Sequence, residues 1–507
     1  MSVTPHRADR ASEPVETSQV EAASIDRSLV RGLAWTGGVN VATQALRWGI
    51  TLFIARILSP ADYGLVGMAL VYTGFVQLVN EFGLGAAIIQ QRDMSEGALA
   101  RIAGFAILFG VALFGVSAAL STPIAMFFRE PAVRNIVIAL GLKFIIDSVG
   151  MVSRALMSRD LKYGTLAAVD GLEAIVLAVA TLLFALGGAT YWSLVFGTLC
   201  GSVAGTGLAV ICRPYRLAWP GSLRDIQQSI RVGRDVVISR IAWYSYSNAD
   251  FLIVGRVLDK TALGLYTFAW NIASIPVEKV AALVGRVTPG VFSAVQRDVA
   301  AMRRYFLSLT EAIAFVTLPM SAGFVLVADE LVSALLGEKW RPAVGALKIL
   351  AAYAAVRSVS TLPAHVMIMR GRADLARRCS IIAAIFLPIS FLIGSRWGIV
   401  GIAASWVFGY PLCISLWDYR YVFKLLDLDL RRFGAAVWPA ISTTAVMVLA
   451  LLAAKAALPA HIPHLVRLIV LVAIGAGVYA GAAILMQGER VRAFLAVARA
   501  SSASGAA

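Results

Sequence analysis

Apolar stretches long enough to cross a bilayer follow one another almost without pause after the first thirty or so residues, and no other feature restricts the fold of this chain so tightly. The bilayer core offers no water to backbone N–H and C=O groups, so only helices or closed barrels can cross it. Alternating strand patterns of about ten residues, which a barrel requires, are absent. With 59% hydrophobic and 15% charged residues and a mean hydropathy of +0.79, the chain also lies far outside soluble composition. The expected fold class is an all-α polytopic membrane protein.

About 14 transmembrane helices are expected, at roughly 32–57, 63–82, 98–120, 133–153, 163–186, 189–211, 233–256, 263–285, 305–328, 344–369, 375–395, 398–419, 433–455 and 465–486. With the N-terminus inside, the inner segments carry 29 Lys and Arg and the outer segments ten. Cytoplasmic loops favour basic residues, so this register places both termini in the cytoplasm. The same asymmetry accounts for the net charge of +16 and the pI near 10.0. A nucleic-acid partner would need a basic face on a folded domain, whereas these arginines sit in short loops.

The chain is doubled. Ala55-Arg56-Ile57-Leu58 with Gly64-Leu65 recurs as Gly255-Arg256-Val257-Leu258 with Gly264-Leu265, an offset of 200 residues without a gap. Six spans separate the copies, so the halves enter the membrane in the same sense, related by an axis along its normal. The expected organisation is a disordered cytoplasmic tail over 1–28 and a first lobe, spans one to six, over 29–212. An interlobe cytoplasmic linker follows over 213–232, with Trp219 at headgroup depth, then a second lobe, spans seven to twelve, over 233–425. Spans thirteen and fourteen occupy 426–487 as an appendage. A C-terminal tail over 488–507 gathers Val491, Phe494, Leu495 and Ala498 on one helical face, which suits the inner membrane surface. The N-terminal residues do not read as a secretory signal, and Cys200, Cys212, Cys379 and Cys413 show neither metal-ligand spacing nor a disulfide framework.

Within the expected spans the first lobe has no proline, whereas the second has Pro276, Pro319, Pro363, Pro388 and Pro411. Each removes a helical hydrogen bond, so the second lobe should be the more bent. Gly197, Gly201 and Gly205 form a small-residue ridge for close helix packing.

Function should lie where charge enters the membrane, because a charge at the bilayer centre costs about 2.5–3.5 kcal/mol on insertion scales. Asn40, Gln44, Arg47 and Thr51 gather on one face of span one. Span ten repeats the pattern with Tyr353, Arg357, Thr361 and His365. The two arginine-centred faces belong to different lobes and can meet across the cleft. Span seven adds Arg240, Tyr244, Ser247, Asn248 and Asp250. Arg47 and Arg357 have no opposite charge at helical spacing on their own spans, whereas Lys143 and Asp147, four apart, can neutralise one another. Lys279 and Glu278 neighbour Pro276, Lys348 can snorkel outward, and Asp170 and Glu173 read as rim charges.

Arginine suits a phosphate because its planar fork donates paired hydrogen bonds and stays charged. Arg47, Arg357 and Arg240 are therefore expected to hold a diphosphate, with Asn40, Gln44, Thr51, Tyr244, Ser247, Asn248, Tyr353 and Thr361 as polar lining. Asp250, His365 and Glu311 are the candidates for ion coupling, with ordinary packing as the alternative for His365. Gly83-Leu84-Gly85 lacks a Rossmann context, and no Walker motif or large extramembrane domain is present. The reading is a transporter, not an enzyme, with no cofactor and no metal. Two rivals are a multidrug cation antiporter, which should show an acidic cavity with aromatic walls, and a non-transporting scaffold of a glycan-assembly complex.

The run from Ala55 through Ser59-Pro60-Ala61-Asp62-Tyr63-Gly64-Leu65 to Glu81-Phe82-Gly83-Leu84-Gly85-Ala86-Ala87-Ile88-Ile89-Gln90 closely resembles the opening of bacterial polysaccharide flippases. Asn248-Ala249-Asp250-Phe251-Leu252-Ile253-Val254-Gly255-Arg256 resembles their second-half signature. These are the Wzx-like lipopolysaccharide and exopolysaccharide exporters of the multidrug/oligosaccharidyl-lipid/polysaccharide superfamily. The resemblance implies two parallel six-helix lobes around a central cationic cavity, plus two extra C-terminal helices, in the bacterial inner membrane. It implies translocation of an undecaprenyl-diphosphate-linked oligosaccharide from the cytoplasmic to the periplasmic leaflet, by ion-coupled alternating access. Its partners would be that lipid-linked oligosaccharide, membrane lipids, and the polymerase and chain-length proteins of the pathway.

Overall fold

The computed structural model describes residues 49–80, 85, 88, 89, 94–219, 243–295, 298–360, 362–459 and 461–504. Contacts divide the chain into a compact unit over 50–486, which holds both lobes, and a second unit of 1–49 with 487–507. In the second unit the described residues after Gln487 are helical. Everything below concerns 50–486.

The regular elements among the described residues are helical. A helical stretch over 50–57 leads into α1 (Pro60–Asn80), followed by α2 (Glu96–Phe128), α3 (Ala132–Arg159), α4 (Tyr163–Leu186) and α5 (Trp192–Cys212). After helical residues 243–247 come α6 (Ala249–Val257), α7 (Lys260–Ala294), α8 (Val299–Leu335), α9 (Val344–Val359) and α10 (Leu362–Met369). Then follow α11 (Ala373–Gly394), α12 (Gly398–Tyr410), α13 (Leu416–Leu426), α14 (Leu430–Ala457) and α15 (His464–Ser504), the last interrupted by non-helical Gln487. Helices therefore occupy expected spans two to six and eight to fourteen. Ten stretches are long and apolar enough to cross a membrane, one of which, Asp374–Leu426, runs over two expected spans. The fourteen expected crossings are not all reached among the described residues: span one is described only from residue 49, span seven only from 243, and α7, over span eight, is not among the ten stretches.

Helix ends follow local chemistry. The Ser95 hydroxyl caps α2 by accepting from Ala98 N, and Asp298 and Asp429 cap α8 and α14 in the same way. The α2 helix stops where Arg129 turns left-handed at φ 59°. It runs past the expected end of its span, so Pro123 lies inside a first-lobe helix after all. In the second lobe two prolines leave visible marks. The span carrying Pro363 is broken between α9 and α10, and Pro411 opens a π-helical turn over Pro411–Ser415. Pro319 and Pro388 are absorbed within continuous helices.

Two of the close helix approaches that glycine permits bear on the lobes. On α5, a Cβ at Gly201 would stand 2.8 Å from Glu173 O on α4, and one at Gly205 would stand 2.6 Å from Glu173 Oε2. The ridge is thus what lets α4 and α5 touch. The second place joins the lobes. The equivalent helices α1 and α7 cross at the equivalent glycines, where a Cβ on Gly64 would overlap the Lys260 carbonyl oxygen and one on Gly264 would overlap the Pro60 carbonyl oxygen.

Polar contacts seal the lobes around this crossing. Arg56 donates to Leu335 O at 2.8 Å and to Ala334 O. Lys339 Nζ donates to Arg56 O at 2.7 Å and Leu58 O at 2.6 Å, and Trp340 Nε1 to Ala55 O at 2.8 Å. Lys260 pairs with Glu130 at 3.1 Å. The first repeat copy, Ala55 to Leu58, is thereby held by its backbone carbonyls at one end of the bundle. Beneath it the buried Leu65, Met68, Tyr266, Ala269, Trp340 and Leu347 form part of a core shared by both lobes.

Candidate functional site

The lobes treat membrane-embedded charge differently. In the first lobe the charges are paired: Lys143 lies 3.0 Å from Asp147 and 3.7 Å from Glu173, and Arg154 lies 2.5 Å from Asp170 and 2.6 Å from Glu173. Ser202 and Gln77 add donors to Asp147 at 2.5 and 3.2 Å. The Lys143–Asp147 pair behaves as its spacing suggests. Arg154, by contrast, is a helix residue binding two carboxylates, the more exposed Asp170 and the more buried Glu173. Lys348 likewise meets Asp329 at 2.7 Å. Opposite charges so close largely neutralise one another, which marks this network as structural.

The second lobe holds a carboxylate without a cation. Asp250, in the first turn of α6, is fully buried. Its Oδ2 accepts from Tyr266 Oη at 2.7 Å and Trp406 Nε1 at 2.9 Å, and its Oδ1 from Phe251 N at 2.9 Å. No Lys or Arg pairs with it among the described residues. The walls are aromatic rings in mutual contact. Tyr353 and Trp406 have centroids 5.0 Å apart, Trp270 and Trp406 5.3 Å, Phe251 and Tyr266 5.4 Å, and Phe391 and Trp406 5.0 Å. Three helices supply the carboxylate's donors: α6, α7 and α12.

Arg357 borders the same aromatic cluster. Its guanidinium stands 5.4 Å from the Trp270 ring centroid, and it makes no hydrogen bond or ion pair among the described residues. The space that it shares with Trp270, Ser274 and Tyr353 is about 10 Å3, about what one water needs. A half-buried cation resting on a ring face keeps its five donors uncommitted.

The other expected site residues are dispersed. Tyr353 is 3% exposed and packs among the rings, lining only the small space that it shares with Arg357. Tyr244 spans the lobes, donating to Val71 O at 3.0 Å and packing on Phe75. Asn248 Nδ2 bonds Tyr244 O at 3.1 Å and Ser247 Oγ at 3.2 Å, so these polar groups satisfy one another. Thr51 is exposed, and Glu311 and His365 are half-buried; each of the three has an interaction partner. Asn40, Gln44, Arg47, Arg240 and Thr361 lie outside the described residues, as do the side chain of Lys279 and most of the interlobe linker.

A further buried acid, Asp418, escapes sequence reasoning. It is 5% exposed on α13, near Cys379, and its Oδ1 has no hydrogen-bond partner among the described residues. The expected span ended at residue 419, which placed Asp418 at the rim; the helix in fact continues to Leu426. The run Ser415-Leu416-Trp417-Asp418-Tyr419, with one acid amid apolar and aromatic neighbours, is the signal that could have found it.

A two-lobed helical membrane bundle with charges in its interior defines a class by its fold, that of the multidrug/oligosaccharidyl-lipid/polysaccharide exporters. The chain superposes on the lipid II flippase MurJ in an inward closed conformation with a TM-score of 0.70, at 13% identity, covering 89% of this chain and 99% of that one. It superposes on an inward-facing multidrug resistance MATE family transporter with a TM-score of 0.60, at 16% identity, covering 75% and 95%. Within that class the chain belongs to the polysaccharide biosynthesis protein family, whose model matches residues 53–345. Its relatives include the teichuronic acid biosynthesis protein TuaB of Bacillus subtilis, 27% identical over 79% of this chain and 84% of the relative. The lipopolysaccharide biosynthesis protein WzxC of Escherichia coli is 21% identical over 82% and 85%. A further relative, 22% identical over 70% of this chain and 75% of its own length, is the probable low-salt glycan biosynthesis flippase Agl15 of Haloferax volcanii.

Proposed function

We propose that this protein moves an undecaprenyl-diphosphate-linked oligosaccharide from the cytoplasmic to the periplasmic leaflet of a bacterial inner membrane, with both termini cytoplasmic. The observation that carries this reading is Arg357, a half-buried guanidinium in the second lobe with no anion beside it among the described residues. A charge kept in such a place at a cost of kilocalories needs a ligand to offset it, and a diphosphate matches its fork. Arg47 and Arg240 are the proposed co-ligands. The sealed end at Arg56 and Gly64 is then periplasmic. Transport proceeds as the lobes rock and that seal opens, with the lipid tail remaining in the bilayer.

Asp250 is the proposed coupling site. Its three donors suit a carboxylate, and loading it with a proton or a small cation changes the charge of the lobe without making room for anything larger. One elementary charge crossing 100 mV supplies about 2.3 kcal/mol, a useful drive for rocking. His365 and Glu311 are the proposed relay groups.

The aromatic walls around Asp250 specifically favour a second reading, a multidrug cation antiporter. Charge argues against it: the Arg357 guanidinium stands 5.4 Å from the Trp270 ring of the same cluster, and a cationic drug would meet like charge there.

Reconstituted vesicles carrying a fluorescent diphospho-lipid oligosaccharide test the proposal. Arg357→Ala should slow leaflet exchange by at least about tenfold, the equivalent of one charge-assisted contact. An Arg357→Ala rate equal to wild type at equal insertion refutes the diphosphate role, and no exchange with wild-type protein refutes the flippase reading.

A further inference from the structure

Near the sealed end, where the lobes meet on one flank, lies a groove of about 480 Å3, within the size range of ligand sites. Its walls come from α1 (Val71, Phe75), α2 (Pro123, Phe127), the segment entering α6 (Tyr244) and α6 itself (Leu252). It is therefore built by both lobes. Several of its polar groups donate within the protein, Tyr244 Oη to Val71 O, Tyr72 Oη to Ser117 Oγ, and Asn248 Nδ2 to Tyr244 O. The rest of the wall is mostly apolar side chains, a poor match for a sugar. Phe75, Phe127 and Leu252 are 36%, 41% and 39% exposed, so the groove opens sideways toward the apolar surroundings of the bundle.

One end of the groove carries a charge. The guanidinium of Arg256 lies 5.5 Å from the centroid of the Phe127 ring, which is itself part of the wall. Arg256 has no hydrogen bond or ion pair among the described residues. The acid nearest in sequence to Phe127, Glu130, is occupied by Lys260 at 3.1 Å. An apolar trough opening on the bilayer, with an uncommitted arginine at its interfacial end, has the layout of an amphiphile: chain below, anion above.

We propose that this groove is a binding site for a bilayer phospholipid, whose acyl chain fills the trough and whose phosphate pairs with Arg256. A chain seated there touches both lobes at once, so it binds the sealed arrangement and is released when the lobes part. Lipid occupancy thereby favours the sealed state by its differential affinity. The inference does not depend on which way the protein faces the membrane or on what it transports.

The test uses full-length protein in nanodiscs containing a phospholipid with a photoreactive diazirine on its acyl chain, with adducts mapped by peptide mass spectrometry. Adducts should concentrate on residues 71–75, 123–128 and 244–252. Arg256→Gln, which removes the charge, and Leu252→Trp, which fills the trough, should each lower groove adducts about fivefold or more. Labelling of α14 should remain constant and report an intact fold. Groove labelling no higher than on α14, or unchanged by both variants, overturns the proposal. Displacement of the label by a polyprenyl diphosphate but not by unlabelled phospholipid also overturns it, and assigns the groove to an isoprenoid lipid.

Discussion

Gly264→Ala should open the seal between the lobes. Its new Cβ would fall on the Pro60 carbonyl oxygen, a backbone atom that cannot rotate away as a side chain would. The helices must separate, and the cost of overpacking a tight contact is about 1–3 kcal/mol. The separated state makes no such contact, so the penalty falls on the sealed state alone. A differential of 1–3 kcal/mol moves a two-state equilibrium roughly 5- to 150-fold. The assay is the rate at which a membrane-impermeant maleimide labels Leu65→Cys, a position 7% exposed within the seal, in a background with the four native cysteines replaced. Labelling should accelerate by that factor from one face of the membrane only. Gly434→Ala, where a Cβ meets nothing within 4 Å, is the control. An unchanged rate in folded Gly264→Ala protein would refute the claim that the glycine crossing holds the lobes together.

Two further perturbations probe the interior. Tyr266→Phe removes a donor 2.7 Å from the Asp250 carboxylate and should cost about 1.5–3 kcal/mol in thermal unfolding; an unshifted transition would mean that Asp250 is not held as an anion. Glu330→Gln should loosen α14 and α15, because the Glu330 carboxylate, 6% exposed, bridges Lys455 at 3.1 Å and Arg467 at 3.3 Å. Breaking a buried pair costs about 3–5 kcal/mol, and partners at 23% and 20% exposure place this one at the lower end. Faster proteolysis between α14 and α15 is the expected result, and unaltered cleavage would show that the bridge does not dock them.

Hydropathy and the duplicated segment made most of the helices legible, because the bilayer imposes one length and one polarity on every crossing. Local spacing also sufficed for Lys143 and Asp147, whose partnership is a property of a single helix. The Asp250 site was legible only as a lone acid. Its donors come from residues 16 and 156 positions away, and no periodicity links those positions. Tyr353 was legible in part: a four-residue rhythm placed it beside Arg357, with which it shares a small space, but the ring contacts that bury it come from distant helices. Arg154 was misplaced because helices overrun the apolar stretch that predicts them. A cation one turn past the hydrophobic segment is still on the helix, within reach of acids on the next one.

The crossing of α1 and α7 carries a lesson about origin. Each glycine meets the carbonyl region at the start of the other helix, the reciprocal pattern of an isologous contact across a two-fold axis. Two separate copies of a single half could form the same contact, each with its twin. Duplication and fusion would then have turned an existing homodimer surface into an internal joint, leaving each side free to mutate alone. Among the described residues, one half became a frame of paired charges, and the other came to hold Asp250 and Arg357 without ionic partners.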